Sequence, residues 1–105
     1  MNGLYHIVHN IPYFFLILVD WCAKLYRHEN YKGWESIVEQ TSQLDLQNGH
    51  NNRVSSIKVK PGCTLKLYKG HSNTGLLGTW TSDDTFLDGS NDQASSLSCD
   101  CQGMI

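Results

Sequence analysis

The sequence has 105 residues, a length typical of a single domain. It carries eight Lys and Arg against ten Asp and Glu, for a formal net charge of −2, and the basic residues form no run. This balance excludes an electrostatic case for binding nucleic acid or an anionic membrane surface.

Near the N-terminus, residues 11–19 form an almost wholly apolar segment. The segment is too short to span a bilayer, which needs about 20 residues, but it fits the apolar region of a secretory signal peptide. No Lys or Arg precedes it, and no small-x-small cleavage site follows it. We predict that residues 1–21 are the signal peptide of a secreted protein whose mature chain has no stable membrane insertion. The alternative is an additional buried strand or an atypical N-terminus of a cytoplasmic protein.

Short strand patterns follow, separated by turns rich in Gly and Asn. Apolar or alternating segments predict strands at residues 23–27, 34–39, 54–59, 63–68, 76–81 and 97–99. Residues 40–48 and 82–90 are predicted to be connections, in which a short helical turn would fit. No window of helical length keeps an apolar period of 3.6 residues, so the predicted fold class is all-β, a β-sandwich.

Two stretches of the chain share one pattern. Asn51-Asn52-Arg53-Val54-Ser55-Ser56 returns forty residues later as Asn91-Asp92-Gln93-Ala94-Ser95-Ser96. We call residues 51–56 the first loop and residues 91–96 the second loop. Before them, a Tyr and a Gly frame the first hairpin, Tyr26–Gly33, and the second hairpin, Tyr68–Gly75. The chain therefore consists of two units of about 40 residues, with Pro61-Gly62 as the turn between them.

This pair of units resembles a βγ-crystallin domain of the calcium-binding type, over roughly residues 22–101. That family has two Greek key motifs, each with an aromatic–x4–aromatic–x–Gly hairpin and an (Asn/Asp)-(Asn/Asp)-x-x-(Ser/Thr)-Ser loop. Both loops match at every defined position, and the second hairpin departs from the pattern at Asn73. The resemblance implies a domain over residues 22–105 with about eight strands, its Greek keys at about residues 22–60 and 61–101.

The resemblance also implies two Ca²⁺ ions, each held between the two units. Oxygen ligands suit Ca²⁺, and the ligands implied are the main-chain carbonyls of Arg27 and Lys69, the side chains of the paired Asx residues, and a Ser hydroxyl donated from the opposite loop. The full predicted set is Arg27, Asn51, Asn52, Ser55, Lys69, Asn91, Asp92 and Ser95. The resemblance assigns Ser56 and Ser96 a structural role in tying the hairpins. Because Asp92 is the one ionised side chain among the six Asx and Ser candidates, we expect weak binding, with the Asp92 site the tighter.

The chain has four cysteines, which allow three disulfide connectivities. Cys99-x-Cys101 lacks the spacing of a zinc knuckle, so zinc is disfavoured. The resemblance implies that the last strand lies beside the first, which would pair Cys22 with Cys99 or Cys101 and leave Cys63 with the other. The alternative is four free thiols in a cytosolic protein.

The predicted core is small, so the domain is expected to need disulfides or Ca²⁺ for stability. Its predicted members are Tyr26, Trp34, Ile37, Val38, Leu44, Leu46, Val54, Ile57, Val59, Leu65, Leu67, Tyr68, Leu77, Trp80, Phe86, Leu87 and Leu97.

Catalytic motifs are missing from the sequence: it has no phosphate loop and no G-x-S-x-G nucleophile. His28, His50 and His71 lie in predicted turns, and Asp83-Asp84 is expected to cap backbone amides.

We predict a monomeric, non-catalytic calcium-binding module with Ca²⁺ as its ligand and no nucleic-acid partner. The alternative is a secreted effector on the same scaffold, a proteinase inhibitor or killer-toxin-like protein that presents residues 69–72 or 81–84. A lens-type packing protein is disfavoured because a partner domain is missing.

Overall fold

The structure is a computed structural model that describes residues 6–8, 15–17 and 20–101. The strands are β1 (His6–Val8), β2 (Phe15–Ile17), β3 (Ala23–His28), β4 (Lys32–Val38), β5 (Thr41–Asp45), β6 (Ser56–Val59), β7 (Cys63–Gly70), β8 (Thr74–Trp80) and β9 (Ser96–Cys101). Two short 3-10 turns occupy Glu29–Tyr31 and Asp88–Ser90. No helix in the described residues is long and apolar enough to cross a membrane.

Near the N-terminus, β1 and β2 pair in an antiparallel orientation. The predicted signal peptide, residues 1–21, falls mostly on residues outside the described part of the chain. The predicted apolar segment includes β2.

Seven strands, β3 to β9, form two antiparallel sheets. The first sheet has the order β4-β3-β6 and the second has the order β5-β9-β7-β8. Each unit therefore contributes a hairpin and its own last strand to one sheet, while β5 of the first unit crosses to the sheet of the second. The all-β sandwich predicted from the sequence is confirmed.

In the second unit, the segment that crosses to the other sheet forms a single β-bridge in place of a strand. Ile57 and Asp84 form a single bridge, in which each residue's amide donates to the other's carbonyl at 3.0 and 2.9 Å. The segment around Asp84 thus pairs with β6 in the way that β5 pairs with β9. Its Ser-Asp-Asp-Thr sequence, however, favours a turn over an extended strand. The two sheets therefore contain seven strands and one bridge, where about eight strands were expected.

Two local predictions were wrong. Residues 40–48 were predicted to be a connection, but they contain β5, which pairs with β9 at the edge of the second sheet. An edge strand has one neighbour and one largely exposed face, so it needs no strong apolar alternation. The order of the strands also differs from the prediction, because the last strand, β9, lies between β5 and β7 and not beside β3.

The core lies between the two sheets. Its fully buried members include Leu25, Val54, Ile57, Leu65, Leu67, Ala94 and Leu97. Three predicted core residues are exposed: Ile37 (54%), Leu44 (41%) and Phe86 (39%). Ile37 faces outward because its neighbour Val38 faces inward, and successive side chains of a strand point to opposite faces.

Two disulfides join Cys22 to Cys99 and Cys63 to Cys101, so the expected pairing is confirmed. The strand order from which this pairing was inferred, with the last strand beside the first, was wrong. Cys22 precedes β3 and Cys99 lies on β9, so this disulfide connects the two sheets through the core, where both cysteines are buried. Cys63 and Cys101 are directly opposite each other on β7 and β9. Two disulfides indicate an oxidising environment.

Candidate metal site

The first and second loops lie against each other. The amide of Asn52 donates to the carbonyl of Ala94 (2.8 Å), and the amide of Asp92 donates to the carbonyl of Val54 (3.0 Å). Val54 and Ala94, which hold the same position in the two loops, are fully buried. The repeated pattern therefore becomes a pair of matching backbone contacts between the units.

The serines cross from one loop to the other. Ser55 Oγ donates to Asp92 Oδ1 at 3.1 Å, and Ser95 Oγ donates to Asn52 Oδ1 at 3.1 Å. Each contact joins the fifth position of one loop to the second position of the other. Two clusters of side-chain oxygens result, and each depends on residues from both units.

The hairpins bring main-chain carbonyls to the same place. The amide of Ser55 donates to the carbonyl of Tyr26 (2.9 Å), and the amide of Ser95 donates to the carbonyl of Tyr68 (2.8 Å). The ladders of β3 with β6 and of β7 with β9 end at these two tyrosines. Arg27 and Lys69 follow directly, so their carbonyls lie one residue beyond each paired stretch.

The first Asx of each loop has an unsatisfied oxygen. Asn51 Oδ1 and Asn91 Oδ1 are buried and accept no hydrogen bond from the described residues, as is also true of Asn73 Oδ1 in the second hairpin. Buried acceptors without a donor are uncommon, and a bound cation would satisfy them. Asn51 lines an open pocket together with Arg27, Asn52 and Asp92, whereas Asn91 does not line it.

The candidate ligands are amide, carboxylate and hydroxyl oxygens, and Ca²⁺ takes oxygen ligands of these kinds in proteins. The residues present therefore fit Ca²⁺.

The last serine of each loop ties a hairpin. Ser56 Oγ donates to the carbonyl of His28 (2.6 Å) and accepts from the amide of Tyr31 (3.0 Å). Ser96 Oγ makes the matching bonds in the second unit, to the carbonyl of Gly70 (2.5 Å) and from the amide of Asn73 (2.9 Å). Both serines are fully buried. These contacts are those of a structural role.

One charged contact at this site was not predicted from the sequence. Arg27 Nη1 lies 3.6 Å from Asp92 Oδ1, and the two side chains are 28% and 44% exposed. Sequence reasoning considered only the carbonyl of Arg27. No sequence signal could have found the ion pair, because the two residues belong to different units.

Asp83 and Asp84, the other candidate carboxylates, have structural partners. Asp83 Oδ1 accepts from the amide of Val59 (2.9 Å). Asp84 accepts from the amide of Phe86 (3.1 Å) and from Trp80 Nε1 (3.0 Å). The predicted capping role is confirmed.

Two tyrosines of the first hairpin have perturbed pKa values. Burial, followed by the hydrogen bond that the Tyr26 hydroxyl donates to Glu35 (2.6 Å), raises the pKa of Tyr26 above its ordinary value of 10.0. Burial also raises the pKa of Tyr31, to which the negative charges of Asp83 and Asp84 add. The fold holds these phenol protons more tightly than the unfolded chain does.

We expect Tyr26→Phe to reduce the loss of stability at alkaline pH. A raised pKa contributes stability that is complete below pH 10.0 and is lost as the pH rises from there toward the raised value of the folded state. At neutral pH the free energy of unfolding of the variant should be about 1 kcal/mol lower than that of wild type, because the bond to Glu35 is lost. Above pH 10.0 this free energy should decrease less steeply with pH than it does for wild type. Denaturant unfolding across this range measures both effects. Tyr68→Phe, the matching change in the second hairpin, is the control, and equal alkaline slopes for wild type and Tyr26→Phe would contradict the assignment.

Comparison with known proteins finds similar solved structures. The chain is similar to a βγ-crystallin domain from Clostridium beijerinckii, at 25% sequence identity and a TM-score of 0.68, over 74% of this chain and 95% of that one. It is also similar in fold to a βγ-crystallin domain from Flavobacterium johnsoniae, at 22% identity and a TM-score of 0.71, over 80% of this chain and 99% of that one. The N-terminal domain of Protein S matches at 19% identity and a TM-score of 0.72, over 79% and 99% of the two chains. No protein-family model matches the sequence, and no curated protein matches it.

Proposed function

Because this chain has the βγ-crystallin fold, we propose that it is a non-catalytic, calcium-binding module that holds two Ca²⁺ ions between its two loops. The observation that carries this proposal is the pair of cross-loop contacts, Ser55 with Asp92 and Ser95 with Asn52, each at 3.1 Å. These contacts collect oxygen ligands from both units at two places. Bound Ca²⁺ would supply a cross-link between the units.

The residues proposed to hold each ion divide between the units. Asp92, Ser55 and the carbonyl of Arg27 would hold one ion, and Asn52, Ser95 and the carbonyl of Lys69 would hold the other. The unsatisfied oxygens of Asn51 and Asn91 support the need for a cation near both loops. Either loop alone has too few oxygens for the six to eight ligands that Ca²⁺ takes.

Charge decides the affinity of the two sites. Asp92 provides one full negative charge, whereas Asn52 at the matching position is neutral. Ligand charge tunes Ca²⁺ affinity, and weak extracellular modules bind at about 10⁻⁴–10⁻³ M. We propose affinities in this range, with the Asp92 site the tighter.

The two disulfides also support a place for this module outside the cytoplasm. We propose that the protein is secreted, that residues 1–21 are the signal peptide, and that the calcium-binding module begins at residue 22. Mass spectrometry of the protein secreted by its native host would show the N-terminus. Retention of residues 1–21 would contradict this part of the proposal.

We expect Asp92→Asn to weaken Ca²⁺ binding at one site by about tenfold, which corresponds to about 1.4 kcal/mol. Asn keeps the shape and the oxygen of Asp and tolerates the left-handed backbone at this position (φ 58°), so the change removes mainly the charge. Calorimetric titration with Ca²⁺ measures the affinity of each site. Thermal unfolding with Ca²⁺ and with chelator measures its effect on stability, which is about 2.7 kcal/mol per site at 100 times the dissociation constant.

Asp100→Asn is the matched control, because Asp100 is an exposed carboxylate at the other end of β9. It should leave Ca²⁺ affinity unchanged. If wild type shows neither a calorimetric signal nor a shift in thermal midpoint with Ca²⁺, the proposed function is wrong. If Asp92→Asn binds two ions as tightly as wild type does, the assignment of Asp92 is wrong.

A further inference from the structure

The Asp92 site contains a positive charge of its own. Arg27 Nη1 lies 3.6 Å from Asp92 Oδ1, and this is the same oxygen that accepts from Ser55 Oγ. Arg27 and Asp92 also line one open pocket. The guanidinium is therefore placed against the one carboxylate among the proposed ligands.

The other proposed site, around Asn52, has no ion pair of this kind among the described residues. Lys69 is the counterpart of Arg27 in the second hairpin, and among residues 20–101 no ion pair involves it. Its site contains Asn52, a neutral side chain. The arrangement around Asp92 is thus particular to one unit and does not follow from the repeat.

Gly33 helps to hold the Arg27 side chain. A Cβ added at Gly33 would lie 2.6 Å from Arg27 Cβ and 3.3 Å from Arg27 Cγ, so the stem of Arg27 packs directly on the backbone of this glycine. At Gly75, the counterpart of Gly33, the same construction leaves 3.6 Å to Lys69 Cβ. The close packing restricts the directions open to the Arg27 side chain.

We propose that Arg27 regulates this site as a built-in competitor of Ca²⁺. This inference rests on the proposed function. Without Ca²⁺, the guanidinium neutralises Asp92 and stabilises the contact between the loops. When Ca²⁺ binds, it displaces the guanidinium from Asp92, while the main-chain carbonyl of Arg27 remains available as a ligand. The side chain of Arg27 thereby raises the Ca²⁺ concentration at which the site fills.

The Arg27–Asp92 ion pair is partly exposed, and this exposure limits how strongly Arg27 can affect the Ca²⁺ affinity of the site. Partly exposed ion pairs are weak, but a guanidinium close to a divalent ion adds repulsion that water only partly screens. We expect Arg27→Gln to tighten Ca²⁺ binding at the Asp92 site by about three- to tenfold. In chelator the same variant should have a lower thermal midpoint than wild type, because the loop contact loses its ion pair.

The opposite signs of these two effects distinguish competition from a merely structural role, since a structural loss would weaken the apo fold and Ca²⁺ binding together. Arg53→Gln is the control for net charge, because Arg53 lies in the first loop and lines the same pocket but forms no ion pair among the described residues. It should change the affinity less than twofold. In the Asp92→Asn background, Arg27→Gln should tighten binding by a smaller factor, because no carboxylate is left to compete for and only the repulsion between the guanidinium and Ca²⁺ is relieved.

The test is calorimetric Ca²⁺ titration of wild type, Arg27→Gln, Arg53→Gln, Asp92→Asn and the Arg27→Gln/Asp92→Asn double variant at one salt concentration, with thermal unfolding in chelator. Tighter binding by Arg27→Gln, by a larger factor in wild type than in the Asp92→Asn background, supports the proposal. Unchanged or weaker binding by Arg27→Gln, while wild type binds Ca²⁺, overturns it and leaves the proposed function intact. Absence of Ca²⁺ binding by every protein overturns both.

Discussion

Replacing Cys22 and Cys99 together by alanine is expected to lower the free energy of unfolding by about 4 kcal/mol. The disulfide closes a loop with a sequence separation of 77 residues, so its loss gives the unfolded chain much more conformational freedom. It is also the disulfide that connects the two sheets. Denaturant unfolding of wild type and of the double alanine variant measures the loss, provided that both have the same slope with denaturant.

The double variant Cys63→Ala/Cys101→Ala is the matched control. Its disulfide has a separation of 38 residues and joins β7 to β9, which are already paired in one sheet. Because halving the loop length reduces the entropic contribution by only about 0.6 kcal/mol, the two losses should differ by about that amount. A loss below about 1 kcal/mol for Cys22→Ala/Cys99→Ala would contradict the dependence of this small domain on its inter-sheet disulfide.

Gly33→Ala is expected to lower the free energy of unfolding by about 3 kcal/mol, from two sources. Gly33 has φ +87°, a conformation that costs other residues about 1–2 kcal/mol. Its added Cβ would also lie 2.6 Å from Arg27 Cβ and 2.9 Å from His28 Cδ2, and such overpacking costs about 1–3 kcal/mol.

Gly75→Ala separates these two sources. Gly75 also has a positive φ of +72°, but its added Cβ would meet Lys69 Cβ at 3.6 Å, which is ordinary contact. This variant should lose only the conformational part, about 1–2 kcal/mol. Chemical denaturation of both variants measures the difference. Equal losses would show that the contact between Gly33 and Arg27 is looser than the structure has it.

Much of the candidate site could be predicted from the sequence. The two Asx-Asx-x-x-Ser-Ser loops identified the oxygen-bearing side chains, and the cross-loop contacts of Ser55 and Ser95 have the form that the family resemblance implied. The structural role of Ser56 and Ser96 is likewise visible in their bonds to the hairpins. These loops stand out in the sequence because the pattern occurs twice, and a repeated pattern of short polar residues is far more specific than one copy.

Other features could not be predicted from local patterns. Thr41–Asp45 lacks a clear apolar alternation, yet β9 provides the partner that makes it a strand. Ile37 and Phe86 have the composition of core residues, but their side chains face outward. The segment around Asp84 is one bridge in place of a full strand.

The sequence by itself determined the all-β class, the two units and the two loops with their oxygen-bearing side chains, because alternation, turn residues and repeats can be recognised along the chain without knowledge of the fold. Only the tertiary structure decided the order of strands in the sheets, the path of the Cys22–Cys99 disulfide through the core, and the ion pair of Arg27 with Asp92. These features depend on residues far apart in the chain that meet only when the two sheets pack, and no local pattern specifies such a meeting.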